Sequence, residues 1–376
     1  MKIRLCIFIM FILLIGCVSS EVAGAASDTR AVSKGSSFNK AVNGSSTLVE
    51  GGNKSDVSNQ KLIIDTTPDK YTNEDFLNDV SVLKANYDKY INRSVIGHTV
   101  DGRGIYDVTV GKPNTDNQIL ILGEMHAREY ITSQTVMRLL CKTIDGIRGY
   151  DGQYHGIPVK KLLDNVCIHF IPISNPDGMA ISQFGIDGIN NAGIRKNITN
   201  MNNPEGYEKW KANANGVDLN RNFDAGWTEF VGADKPSSER YKGAYPGCEA
   251  ESAALIELTK KYHIKRSISY HTCGALIYWY YKQEGIVLEE SRKFAQRIAD
   301  ETGYPLDTDY TAVDAAGFKD WAVYKMGIPS ITIETGVEAG GSVTNPVPID
   351  RFGNIWQCNK DVVYATVYNL KYDHKR

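Results

Sequence analysis

A histidine and a glutamate three residues apart lie in residues 123–129, whose sequence is Gly-Glu-Met-His-Ala-Arg-Glu. An apolar run at 118–122 precedes this segment, and a stretch typical of a helix follows it. Because His126 and Glu129 flank the predicted start of that helix, an imidazole nitrogen and a carboxylate oxygen can converge on one point. Such nitrogen and oxygen ligands suit Zn²⁺. The pair alone is weak evidence, since this spacing also occurs in proteins that bind no metal.

Three further segments carry polar side chains that strengthen the prediction. His271 follows one apolar run, and Glu334 ends another. Residues 216–223 (Gly-Val-Asp-Leu-Asn-Arg-Asn-Phe) place the amide of Asn220 beside the guanidinium of Arg221. In open parallel sheets, ligands bind beyond the carboxyl ends of the strands. The His126–Glu129 segment, His271 and Glu334 each lie at the end of a predicted strand. These three positions therefore predict a site along one edge of a sheet.

The elements that must position these residues alternate along the chain. A hairpin is predicted at 93–111, and buried strands are predicted at 118–122, 165–173, 266–270 and 329–334. Helices are predicted at 72–90, 129–147, 249–262, 288–302, 317–326 and 350–370. This alternation predicts an α/β fold with a mostly parallel sheet. The Asn- and Gly-rich stretch 179–248 is predicted to be a long functional loop.

Composition limits the classes of protein. The 376 residues are 42% hydrophobic, which is enough for a large core, and the formal net charge is −2, which does not indicate a nucleic-acid partner. We expect a monomer. Five of the seven cysteines lie beyond the first 26 residues, and we expect buried structural thiols rather than a dense disulfide framework. The alternative is one or two disulfides, which would leave at least one thiol over.

The amino terminus has the pattern of an export signal. Residues 1–26 combine Lys2 and Arg4 with a short apolar run and a small-residue cleavage site. An alternative is a lipoprotein signal that ends before Cys17, which would then anchor the protein to the outer face of the membrane. Both interpretations predict a protein outside the cytoplasm. Residues 27–66 are predicted to be a disordered tether or a short pro-segment, and residues 67–376 a single folded domain.

Taken together, these segments resemble the zinc carboxypeptidases of the carboxypeptidase A type. The resemblance covers about residues 71–370 and rests on the His-x-x-Glu segment, the Asp-Leu-Asn-Arg-Asn-Phe loop, the later strand-end histidine and the Thr-Ile-Glu strand. It implies that residues 67–376 are the catalytic domain. It also implies a mixed, mostly parallel eight-stranded sheet flanked by helices, and one Zn²⁺ per chain. The metal ligands implied are His126, Glu129 and His271, with Glu334 as the general base.

The resemblance implies further site residues. Arg195 matches the arginine that stabilises the oxyanion, and Asn220 with Arg221 matches the pair that binds the terminal carboxylate of the substrate. Arg128 matches a secondary substrate-binding arginine. Tyr310 is the best match for the active-site tyrosine, although the loop that follows it is about two residues longer than in the family.

Lys319 falls near the position that lines the specificity pocket in this family. A cation there suggests a substrate side chain with a carboxylate, unless Lys319 points to solvent. Residues 269–279, 317–321 and 345–348 resemble the bacterial γ-D-glutamyl-meso-diaminopimelate peptidases, which act on peptidoglycan stem peptides. The substrate expected is therefore a muropeptide, and the alternative is the C-terminus of a protein or peptide. A binding module without catalysis would lack a ligand or the base, and none is missing from the sequence.

Overall fold

The structure is a computed structural model, which describes residues 68–309, 315–336 and 344–373. The predicted export signal, Cys17, the predicted tether and Tyr310 lie outside the described residues. No described helix is long and apolar enough to cross a membrane. The five described cysteines are free thiols. Cys141 and Cys167 are buried as predicted, whereas Cys248, Cys273 and Cys358 are only half-buried.

Helices and strands alternate along the chain. The helices are α1 (Asn73–Tyr87), α2 (Ile131–Arg148), α3 (Val159–Leu162), α4 (Pro176–Phe184), α5 (Ala192–Thr199), α6 (Ala250–Lys261), α7 (Gly285–Thr302), α8 (Phe318–Tyr324), α9 (Phe352–Asn359) and α10 (Val362–Tyr372). The strands are β1 (Ile91–His98), β2 (Gly104–Gly111), β3 (Gln118–Leu122), β4 (Gln153–Tyr154), β5 (Ile157–Pro158), β6 (Cys167–Ile171), β7 (Arg266–Gly274), β8 (Leu276–Tyr278) and β9 (Ser330–Gly336).

The main sheet has the strand order β1-β2-β6-β3-β7-β9-β8. The four inner strands β6, β3, β7 and β9 are parallel, and the outer pairs are antiparallel. β3 and β6 are buried along their whole lengths, as expected for strands covered by helices on both faces. The mixed α/β fold predicted from the sequence is confirmed.

The count of strands differs from the eight that the family resemblance implies, because the described residues form seven in this sheet. The segment beyond β8 contributes only a single bridge, between Ile277 and Leu306. Ile277 donates to the carbonyl of Pro305, and its own carbonyl accepts from Asp307. Pro305 has no N–H of its own, so it cannot extend a ladder at this edge.

The core covers both faces of the sheet, and β3 shows why. Ile119 and Ile121 point into the larger core cluster, which includes residues of α1, α2, α7 and α10. Leu120 and Leu122 point into a second cluster with residues of α6 and α8. Alternate residues of a strand face opposite sides, so the four apolar residues of β3 join both layers.

Two predicted elements differ in detail. The stretch 179–248, predicted as an irregular loop, contains the end of α4 and all of α5, and the predicted final helix is divided into α9 and α10. At that division the side chain of Asn359 donates to the carbonyl of Ile355, a local bond of the kind that competes with the helix. The predicted capping box of α1 is present, with Thr72 and Asp75 bonded to each other.

Candidate active site

Three predicted metal ligands converge where β3 and β7 end. His126 and Glu129 lie in the segment between β3 and α2, and His271 lies in β7, the neighbour of β3 in the sheet. One ligand atom from each of the three buried residues lies within 4.8 Å of the other two. Glu129 is 3.0 Å from the Nδ1 atom of each histidine, through different carboxylate oxygens.

This group of atoms fits a divalent cation. The two Nδ1 atoms are 3.0 Å apart. Two imidazole nitrogens at this distance share at most one proton, so their lone pairs and the carboxylate create a strongly negative, buried point. Two histidines and one glutamate, with a position left for water or substrate, form the donor set of catalytic zinc sites. The residues therefore fit the zinc ion that the sequence predicts.

The outer nitrogens of both rings also face oxygens. Nε2 of His271 is 3.1 Å from Oγ of Ser269, and Nε2 of His126 is 3.2 Å from Oδ1 of Asp218. A hydrogen-bond partner such as Ser269 fixes the orientation and tautomer of a metal-binding histidine. His126 meets Asp218 as an ion pair instead, since its Nε2 atom makes no hydrogen bond among the described residues. Both rings present Nδ1 to the metal position.

Asp218 carries a buried negative charge beside His126. Burial raises the pKa of this carboxyl, but Lys211 and His126 reverse the effect and hold the pKa well below its usual range. Nζ of Lys211 lies 3.1 Å from Oδ2 of Asp218. Lys211 also acts on the pKa of both histidines and of Glu334. The structure thus adds Asp218 and Lys211 to the site.

Glu334 lies on β9 directly opposite His271 on β7. Burial raises its pKa to about 7, and the nearby charge of Glu129 adds to this, while His271, Lys211 and Arg221 act in the opposite direction. A carboxylate with a pKa near neutrality can both accept and return a proton. Gly274 leaves room for it, because a Cβ atom there would lie 3.0 Å from the Cβ of Glu334.

Asn220 and Arg221 lie in a short helical turn after Asp218. Oδ1 of Asn220 accepts a hydrogen bond from the backbone of Phe318, at 3.1 Å, which joins this turn to the start of α8. Arg221 is buried and its guanidinium lies 5.1 Å from the ring of Phe230. The positive charge of Arg221 lowers the pKa of Glu334, against the larger effect of burial.

Lys319 follows Phe318 in α8 and does not point to bulk solvent, since its side chain is 11% exposed. Its ammonium donates to the carbonyl of Tyr280, at 2.8 Å, and pairs with Asp320. Asp320 in turn accepts a hydrogen bond from the backbone of Gly317. The ion-paired Lys319 therefore directly follows Phe318, the residue whose backbone binds Asn220.

A family model described as "Zinc carboxypeptidase" matches residues 77–354. The chain belongs to the zinc carboxypeptidase family. It is a zinc metallopeptidase, and the His-Glu-His group described above is able to hold a metal ion.

The relatives of this zinc carboxypeptidase include bacterial and animal enzymes. It is 29% identical over 295 residues to "Gamma-D-glutamyl-L-diamino acid endopeptidase 1" of Lysinibacillus sphaericus. The matched region covers 78% of this chain and 71% of the relative. It is 27% identical to carboxypeptidase B of Rattus norvegicus, over 65% of this chain and 58% of the relative. The solved structure of carboxypeptidase A from Helicoverpa armigera has the same fold, with a TM-score of 0.61 and 15% identity over 82% and 76% of the two chains.

The two predicted arginines of this zinc carboxypeptidase donate hydrogen bonds to backbone carbonyls. Arg195 is half-buried in α5, and its guanidinium donates to the carbonyl of Asn190 at 3.2 Å. Arg128 donates to the carbonyl of Lys209 at 2.9 Å. The structure joins neither guanidinium to the metal ligands by a hydrogen bond among the described residues, so the roles predicted for both stay predictions.

Sequence reasoning missed two residues of the site, Asp218 and Lys211, and the sequence offered a signal for only one of them. Asp218 stands two residues before Asn220, inside the Asp-Leu-Asn-Arg-Asn-Phe motif. Its carboxylate in that motif was a signal that could have marked it as a partner for a metal-binding histidine. Lys211 belongs to no motif of the sequence. Its place at the site arises only because the chain between α5 and α6 folds back against residues 126–129.

Proposed function

We propose that this zinc carboxypeptidase hydrolyses the γ-D-glutamyl to diaminopimelate bond of peptidoglycan stem peptides, outside the cytoplasm. The observation that carries the proposal is the buried ion pair of Lys319 and Asp320 beside Asn220. The name of the Lysinibacillus sphaericus relative supports it, because that protein is named for a bond between γ-D-glutamate and an L-diamino acid.

The chemistry requires an attacking water, a proton acceptor and binding of the released residue. When bound, a zinc ion supplies a Lewis acid that lowers the pKa of water and polarises the scissile carbonyl. Glu334 takes the proton from the attacking water and delivers it to the leaving amine, a double role suited to a pKa near 7. Asn220 and Arg221 hold the terminal carboxylate of the residue that leaves.

The Lys319–Asp320 pair suits the side chain of diaminopimelate. That side chain ends in both an ammonium and a carboxylate, so it carries no net charge. An ammonium group has three donors, and the contacts described for Lys319 use two of them. The remaining donor can bind the substrate carboxylate, while the negative charge of Asp320 favours the substrate ammonium.

Substitution of Lys319 tests the proposal. Two tripeptides, L-alanyl-γ-D-glutamyl-diaminopimelate and its counterpart with lysine in the last position, differ only in the side-chain carboxylate. Lys319→Ala is expected to lower kcat/KM for the first by about 10- to 150-fold, the effect of one charge-assisted contact, and to change the second much less. Lys325→Ala, at a lysine that is 41% exposed, is the matched control. Equal losses of kcat/KM on both peptides would show that Lys319 does not bind that carboxylate.

The alternative function is a general metallocarboxypeptidase that removes C-terminal amino acids. It is supported by the similarity to carboxypeptidase B of the rat and by the Asn220–Arg221 pair. If the parent enzyme cleaves only linear L-peptides and leaves both γ-linked peptides intact, the peptidoglycan proposal is wrong and this alternative stands.

The proposed location rests on the amino-terminal sequence, with its basic residues, its apolar run and Cys17. Mass spectrometry of the mature amino terminus distinguishes the two export routes. A chain that begins at a lipid-modified Cys17 indicates an anchored protein, and one that begins near residue 27 indicates free secretion. An unprocessed chain in the cytoplasmic fraction would contradict the proposed location.

A further inference from the structure

A cavity of about 600 Å³ lies at the end of the main sheet opposite the metal ligands. Its wall includes Gly111, the last residue of β2, and Asn165, which lies shortly before β6. The cavity is therefore at the amino end of β6, whereas the metal ligands lie toward the carboxyl ends of β3 and β7. β6 is parallel to β3, and its five residues span about 16 Å. A ligand in this cavity leaves the metal site open.

The wall of this cavity is strongly basic. It contains four lysines against a single carboxylate, that of Asp164, among the described residues. The lysines are Lys89, Lys112, Lys160 and Lys161, and all four are exposed. No carboxylate of the described part of the chain forms an ion pair with any of their ammonium groups. Four like charges around one cavity, without counter-charges of their own, favour an anionic ligand.

The backbone that carries these lysines is fixed by other contacts. Gly111 has a φ of +106°, and a Cβ atom there would overlap the carbonyl oxygen of Val166. The absence of a side chain lets the N–H of Lys112 donate to that carbonyl, at 2.8 Å. The ammonium of Lys371 donates to the carbonyl of Asp164, at 2.8 Å, and so holds the segment that follows α3. The ammonium groups of the cavity itself are left for a ligand.

Part of the wall is apolar. Tyr90, Ile147 and Leu163 line the cavity and pack against the larger core cluster. Nζ of Lys89 lies 4.7 Å from the centre of the Tyr90 ring. Cations beside apolar surface suit a ligand in which anionic groups are joined by a carbon chain.

The type of cation favours phosphate over carboxylate. Every cation in this wall is a lysine. A guanidinium matches the planar carboxylate with two parallel hydrogen bonds, whereas an ammonium is a compact point charge that binds phosphate oxygens without a fixed orientation. A flexible chain can also enter a concave wall, which a flat bilayer surface cannot.

We propose that this cavity binds a polymer of phosphodiesters joined by short polyols. The four lysines bind its phosphates, and Tyr90, Ile147 and Leu163 contact its carbon chain. Because the cavity and the metal site lie at opposite ends of the sheet, the bound polymer tethers the enzyme without blocking hydrolysis. Such a tether raises the local concentration of the enzyme on an immobile, phosphate-rich substrate. The inference does not depend on which peptide the metal site cleaves.

The test measures binding of a fluorescently labelled poly(glycerol phosphate) chain to the full zinc-loaded protein by anisotropy. Glutamine replaces all four cavity lysines in one variant, Lys89→Gln/Lys112→Gln/Lys160→Gln/Lys161→Gln. The Kd of this variant is expected to rise by about 10-fold or more, the combined effect of several exposed charge pairs. Added salt should weaken binding of the parent, because exposed charges are screened.

A second variant with the same net charge is the matched control. It replaces four exposed lysines outside the cavity, namely Lys235, Lys293, Lys325 and Lys360, with glutamine. This control should bind the chain as the parent does. Zinc content and thermal midpoint should equal those of the parent in both variants, which excludes misfolding as the cause of a loss.

Three results would overturn the inference. Equal weakening in the two variants would mean that only net charge matters. Equally tight binding of poly-L-glutamate of the same charge would show that the cavity does not select phosphodiesters. Tighter binding to vesicles of anionic phospholipid than to the soluble chain would identify a membrane surface as the partner instead. The assay uses no peptide substrate, so its failure is distinct from a failure of the proposed function.

Discussion

At the scale of single residues, the site is a set of buried charges that stabilise one another. Burial raises the pKa of Glu129, yet the two histidines hold it below the usual range. Asp218 is held ionised in the same way by Lys211 and His126. Each carboxylate therefore stays charged out of water only because a partner lies within hydrogen-bond distance.

Removing either histidine should remove the metal. His126→Ala or His271→Ala leaves two ligands, which is too few for a stable catalytic zinc site. Elemental analysis after dialysis is expected to find one zinc per parent chain and little in either variant. His98→Ala, at an exposed histidine, is the control. Full zinc content in both ligand variants would contradict the assignment.

Replacing the base should separate binding of the metal from turnover. In Glu334→Gln a neutral amide cannot accept the proton of water, so kcat should fall by about 100-fold or more. The zinc content and the thermal midpoint should stay near those of the parent. Glu257→Gln, at a side chain that is 79% exposed, should keep full activity. A variant with more than a tenth of the parent turnover would mean that another group is the base.

At the scale of elements, the position of the metal ligands depends on close packing around the residue that follows β3. Gly123 follows β3 and donates its N–H to the carbonyl of Ile171, so it continues the contact with β6. A Cβ atom at Gly123 would lie 2.7 Å from the carbonyl oxygen of Pro172 and 3.1 Å from that of Thr132. Only a residue without a side chain lets β6 and the start of α2 approach this closely.

Gly123→Ala should therefore loosen the metal site as well as the fold. The added methyl group meets backbone atoms that cannot turn away, and such overpacking costs about 1–3 kcal/mol. We expect a lower thermal midpoint and weaker zinc binding, measured by calorimetry and by competition with a chelator. Gly152→Ala, where a Cβ meets nothing within 4 Å, is the control. Unchanged zinc affinity would show that the approach of β6 does not position His126.

At the scale of the whole molecule, a second group of buried acids lies outside the metal ligands. Glu251 of α6 is buried, and Asn213 donates to its carboxylate and to that of Glu249. Burial raises the pKa of Glu251 to about 8, and the charges of Glu249 and Asp177 add to this. The folded protein thus keeps Glu251 protonated at a pH at which the unfolded chain ionises it.

This raised pKa predicts a fall in stability as the pH rises. The contribution of Glu251 is complete below about pH 4.5 and is lost as the pH approaches about 8. The free energy of unfolding should therefore decrease between pH 5 and pH 8, by ~4 kcal/mol at most from this group. Glu251→Gln cannot ionise, so the variant should lose less stability than the parent over this range. Urea unfolding at both pH values measures the difference, and equal decreases would contradict the raised pKa.

The sequence by itself determined the fold class, the strands that carry the site and the group of metal ligands. These follow from local patterns: buried strands appear as apolar runs, and polar residues directly after parallel strands must meet at one edge of the sheet. The strand 118–122 and the capping box of Thr72 were predicted without error for the same reason.

Only the tertiary structure decided which charges surround those ligands. Lys211 reaches Asp218, and Lys319 is paired with Asp320 rather than solvated. These contacts depend on the path of the chain between α5 and α6 and on the packing of α8. No periodicity or spacing encodes that path, because it is set by packing and hydrogen bonds between residues that are distant in the sequence.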